Sequence, residues 1–70
     1  MKLNLNIRTG ELSSRERPMV DERVEIPCWG NGVARGYYND GRCRNYILIR
    51  FDEPMLDGRV EKSFEYTQYP

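Results

Sequence analysis

The chain has 70 residues, 39% hydrophobic, 31% charged and 11% aromatic, with eleven basic and eleven acidic groups. That length holds one small domain, which buries only about 60% of its unfolded surface and is stable by a few kcal/mol. The apolar and aromatic content excludes a disordered tail, and zero formal charge argues against a surface that grips a phosphate backbone all round.

In chain order, residues 2–8 (K-L-N-L-N-I-R) alternate strictly and predict a half-buried strand with Leu3, Leu5 and Ile7 on one face. Thr9-Gly10 ends it. Residues 11–22 carry a Pro at position 18 that leaves room for one helical turn at most, so they read as a polar connection anchored by Leu12 and by Met19 or Val20. Three strand-favouring runs follow, residues 24–29, 33–38 and 46–51. The first joins the second through Gly30-Asn31-Gly32, and the second joins the third through Asn39-Asp40-Gly41. Pro27 implies an edge position or a strand end, and Gly36 a bend or close backbone approach. After a loop over 52–58 closed by Asp57-Gly58, residues 60–66 alternate again, with Val60, Lys62, Phe64 and Tyr66 on one side.

These elements predict a single all-β domain. Residues 1–22 supply an N-terminal strand and connection, and residues 23–66 a three-stranded meander with a last strand. Five short strands with tight turns cannot cover a flat sheet, so curling into a small five-stranded SH3-like barrel buries most and leaves fewest edges. The run V24-E25-I26-P27-C28-W29-G30-N31-G32-V33, followed by Y46-I47-L48-I49-R50-F51-D52, resembles the Tudor-like and CarD-type modules of SH3 fold. The resemblance covers about residues 24–66. It implies a module that binds partner proteins, RNA polymerase among them in that class, and in some members nucleic acid.

Chemistry for catalysis is thin. The sequence has no His, hence no general base or imidazole ligand of the usual kind, and its carboxylates read as solvated faces. The Gly30-Asn31-Gly32 segment lacks the Lys and following helix of a phosphate loop. Cys28 and Cys43 stand fifteen apart with no Cys-x-x-Cys pair, so neither a metal site nor a disulfide is expected. The opening residues show no secretory pattern, and cytoplasm is the expected compartment. No cofactor is expected.

A binding surface remains. With residues 39–44 as the turn, paired positions sum to about 83. Ile47, Ile49 and Phe51 then face inward with Ala34, Gly36 and Tyr38. Val33, Arg35, Tyr37, Tyr46, Leu48 and Arg50 face outward as one cluster, with Arg42 and Arg44 at the hairpin tip. Tyr and Arg are residues that interfaces favour, so a larger protein partner is the first expectation. Single-stranded nucleic acid is the alternative, because residues 27–50 carry an excess of three positive charges. Self-assembly into a structural barrel is a third reading. The N-terminal strand either completes the barrel edge, leaving the cluster free, or folds over it. The first is expected, and Arg35 and Tyr37 should then be removable at a cost within about 1 kcal/mol. Trp29 reads first as a plug at the barrel mouth and second as an exposed recognition residue.

Overall fold

The alternation read over residues 46–51 is realised in a strand whose inner side chains, Ile47, Ile49 and Phe51, are all buried. In the computed structural model, which describes residues 1–69, that strand is β5 (Asn45–Phe51). The others are β1 (Asn4–Leu5), β2 (Leu12–Ser14), β3 (Arg23–Ile26), β4 (Gly30–Asn39) and β6 (Glu61–Gln68). Strands β3 to β6 form an antiparallel meander. β2 adds to β6 in parallel and β1 to β2 antiparallel, giving the order β1-β2-β6-β5-β4-β3. The residues ahead of β1 join the two ends of this order. The Leu3 N–H donates to the Glu25 carbonyl at 2.9 Å and the Glu25 N–H to the Met1 carbonyl at 2.8 Å. The sheet is thus a nearly closed barrel, which leaves little unpaired edge. All-β is correct, with six strands in place of five. No helix among the described residues is long and apolar enough to cross a membrane.

The N-terminal segment therefore completes the barrel edge and does not fold over the outer face. Its strand is shorter than the alternation implies. The Asn6 side-chain oxygen accepts the backbone N–H groups of Arg8 and Thr9 at 3.0 and 3.3 Å, turning the chain back toward Glu11. Leu3 is fully buried and Leu5 half-buried, but Ile7 stands in the turn, 84% exposed.

The extra strand, β2, lies inside the stretch read as a connection. Leu12 is buried as expected, and Ser14 is buried because its hydroxyl meets the Tyr66 hydroxyl at 2.6 Å and donates to the Glu16 carbonyl. Met19 and Val20 are exposed, and Pro18 takes the anchoring place assigned to them.

The first tight turn sits earlier than Gly30-Asn31-Gly32, which belongs to β4. The Trp29 N–H donates to the Ile26 carbonyl at 3.1 Å, closing a turn with Pro27 at its second position and Cys28 at φ 68° at its third. Proline fixes the second position of such a turn, and the third needs a left-handed conformation. Pro27 thus marks the end of β3, one of the two roles its presence implied.

Candidate binding site

Register decides what the outer face carries. Between β4 and β5, Gly32, Val33 and Ala34 pair with Phe51, Arg50 and Ile49, at the expected sum of 83. A bulge at Arg35 then shifts the ladder by one, so that Gly36, Tyr37 and Tyr38 pair with Leu48, Ile47 and Tyr46. An inserted residue of this kind reverses the facing of everything beyond it.

Tyr37, expected outside, turns to the core side. Its ring lies edge-on to Tyr66 with centroids 5.7 Å apart, and its hydroxyl donates to the Pro18 carbonyl at 2.5 Å. Tyr38, expected inside, is 49% exposed and stacks on Tyr46 at 5.1 Å. Arg35 leaves the cluster as well, its guanidinium 2.6 Å from the Asp21 carboxylate. Val33, Tyr46, Leu48 and Arg50 face outward as read, with Tyr38 in place of Tyr37 and Gly36 leaving open space beside Leu48. Two adjacent tyrosines after a glycine are the one sign of a possible shift, and the pair alone does not say which ring goes in.

Four arginines are paired with carboxylates, Arg35 with Asp21 as above and three more. Arg23 grips Asp52 through two hydrogen bonds, Arg50 lies 3.9 Å from Glu61, and Arg59 2.7 Å from Asp57. The Arg23 guanidinium and the backbone N–H of Arg59 hold the Asp52 and Asp57 carboxyls below the usual carboxylate range. All four pairs are solvent-exposed, so each contributes little stability. Their consequence is electrostatic: the basic excess of residues 27–50 contracts to Arg42 and Arg44. At that tip Asp40 accepts the backbone N–H groups of Arg42 and Arg44 at 2.8 and 3.4 Å, which holds its carboxyl low.

Trp29 stands at the mouth where β4 begins. It stacks on Phe51 at 6.0 Å and meets Phe64 edge-on at 5.2 Å, with the Lys62 ammonium 5.4 Å from its ring. It plugs the mouth with one side and remains 41% exposed on the other. Beside it runs a groove of about 510 Å³ lined by Cys28, Trp29, Pro54, Met55, Leu56 and Lys62, and by the Asp57–Arg59 ion pair. Leu56 is wholly exposed, and sequence reasoning missed it, because a Leu in a loop carries no periodic signal. The loop holding it is braced: the Met55 N–H donates to the Arg59 carbonyl at 2.7 Å, and the Gly58 N–H to the Met55 carbonyl at 2.8 Å.

Burial pushes the Tyr37 phenol up to about 12; the neighbouring Tyr66 adds to the shift and Arg17 opposes it. The folded value lies above the ordinary one of about 10, so the native state keeps this proton longer than the unfolded chain. Stability from this group is fully present below pH about 10 and is lost as pH rises from there through about 12. Tyr37→Phe should therefore lose less stability than the parent across that window, read as urea midpoints. Equal losses would contradict it.

Cys28 and Cys43 are separate, exposed thiols at opposite ends of β4. Among the described residues no group of three or more Cys, Asp or Glu gathers to hold a metal. The native protein should react with two equivalents of a thiol reagent, and its intact mass should equal the fully reduced value. A mass short of two hydrogens would reveal a disulfide.

Comparison with protein-family models, with curated proteins and with solved structures finds no match to this chain.

Proposed function

We propose that this protein is a non-catalytic SH3-like barrel module that engages a larger partner protein, acting on a nucleic-acid machine of the RNA polymerase kind. Support for SH3-like comes from the all-strand architecture, the tight turns and the nearly closed barrel. The observation that carries partner binding is Leu56, wholly exposed beside a 41% exposed Trp29. A contiguous exposed apolar patch usually marks an interaction site, and aromatic anchors dominate such interfaces. The bracing of the loop spares a partner the cost of ordering it. Lys62, with no carboxylate partner among the described residues, favours an apolar side chain flanked by an acidic one. The second surface, Val33, Tyr38, Tyr46, Leu48 and Arg50, would extend the contact along the outer face. Cytoplasm, where both thiols would stay reduced, is the compartment this reading assumes.

The test is capture from cell lysate, with and without nuclease, by the parent protein and by Leu56→Asp. The reading expects a partner that survives nuclease and is lost with Leu56→Asp, while the variant melts like the parent. Capture unchanged in Leu56→Asp, or abolished by nuclease alone, overturns it. So does a dimer of the parent that dissociates in the variant, because a second copy would then fill the groove.

A further inference from the structure

The far end of the barrel carries a site of different chemistry. Where β4 ends and β5 begins lies a cavity of about 460 Å³, lined by Arg17, Tyr37, Tyr38, Asn39, Asn45 and Gln68 among others. Its volume falls within the range of small-ligand pockets. No aliphatic side chain lines it, which disfavours an apolar peptide anchor.

Its polar groups are partly committed, and the remainder point to a planar ligand. The Asn39 amide nitrogen donates to the Asn45 side-chain oxygen at 3.0 Å, which leaves the Asn45 amide N–H groups with no protein partner among the described residues. The Gln68 amide nitrogen donates to the Arg15 carbonyl at 3.1 Å, leaving its side-chain oxygen unpartnered in the same sense. One donor and one acceptor group thus stand in a cavity with aromatic walls. Tyr38 already stacks on Tyr46, and a further flat ring can extend that stack. The Arg17 guanidinium carbon lies 3.8 Å from the Tyr37 ring centre and has no carboxylate partner among the described residues.

Charge supplies the rest. Four arginines elsewhere are paired with carboxylates, whereas Arg42 and Arg44, on the turn joining Asn39 to Asn45, have no such pair among the described residues. Asp40 is held by backbone N–H groups of its own turn. Carboxylates flank the site on two other sides: Glu11 accepts from the hydroxyl of the cavity-lining Thr67 at 2.9 Å, and Glu65 stands in register with Tyr46, whose hydroxyl donates to Asp40 at 3.4 Å, which confines an anion's path to the arginine side.

We propose that this end binds single-stranded nucleic acid. One unpaired base enters the cavity, stacks on Tyr38 and is met by Asn45 and Gln68, while the flanking phosphates lie on Arg17, Arg42 and Arg44. Stacking on aromatic rings tolerates any base, and a duplex hides its bases from such a site. The site is independent of the Trp29 groove at the other end of β4.

Fluorescence anisotropy of labelled oligothymidine, oligouridine and a duplex of equal length, at low salt, tests it. Both single strands should bind, the tighter one showing whether DNA or RNA is preferred, and the duplex should bind at least tenfold more weakly. Tyr38→Ala should weaken single-strand binding by about 5- to 150-fold. The joint Arg42→Ala and Arg44→Ala variant should flatten the plot of log affinity against log salt by about 1.4, the slope of two phosphate contacts. Ile7→Ala, at an exposed turn position that belongs to neither site, should bind as the parent does. Absent single-strand binding, equal duplex binding, or unchanged affinity in a Tyr38→Ala protein that melts like the parent would each overturn the proposal.

Discussion

Gly32→Ala should lower the melting temperature by about 12–24 °C, corresponding to a loss of about 3 kcal/mol in a domain of this size. A Cβ at position 32 would run into the Arg50 carbonyl oxygen, and would lie 2.9 Å from that carbonyl's carbon and 3.0 Å from the Phe51 Cα. All three atoms are backbone, so no rotamer change relieves the clash. The ladder between β4 and β5 must part at the pair Gly32–Phe51, beside Trp29 and its aromatic neighbours. Such a loss rivals the whole stability of a small barrel. Gly36→Ala is the control. Its Cβ would meet nothing within 4 Å and its φ is not left-handed, so the change should stay within about 1 kcal/mol, or stabilise slightly through the unfolded chain. Equal melts for the two variants would show that the approach at Gly32 is slack.

The adjacent tyrosines should behave oppositely. Tyr37→Ala removes a half-buried ring packed against Tyr66, releases Arg17 and cuts the hydrogen bond that ties residue 18 to the barrel. A loss of about 2–4 kcal/mol is expected, below the figure for a fully buried aromatic. Tyr38→Ala removes a ring that is 49% exposed and touches mainly Tyr46, and should cost within about 1 kcal/mol. Arg35→Ala, losing an exposed ion pair, belongs with Tyr38→Ala. Thermal melts of the three variants check the bulge directly. If Tyr38→Ala proved the costlier tyrosine change, the register assigned to β4 would be wrong.

The candidate site was half legible. Tyr46, Leu48 and Arg50 alternate in an uninterrupted strand, so their outward facing follows from the two-residue period alone. Their partners across the ladder depend on the bulge at Arg35, and that exchanged Tyr37 for Tyr38. The basic excess was countable, but its availability was not, because Arg35 and Arg50 find Asp21 and Glu61 only after folding.

An all-strand protein, the inner set Ile47, Ile49 and Phe51, the two-sided β6, the turn between β4 and β5 and the loop over 52–58 follow from the residues alone. These rest on local chemistry: alternation, proline, glycine and Asx residues act within a few positions of themselves. Tertiary structure alone decided the rest. β2 is three residues long and has no strand signal of its own. It exists because Leu12 fills the core and Ser14 meets Tyr66, 52 positions away. Likewise, closure depends on Met1 and Leu3 bonding to Glu25, and the inward facing of Tyr37 on its hydroxyl reaching Pro18 and its ring packing on Tyr66. A strand of two or three residues is too short to be favoured by its own propensity, so the free energy that orders it comes from distant partners, which the local pattern does not record.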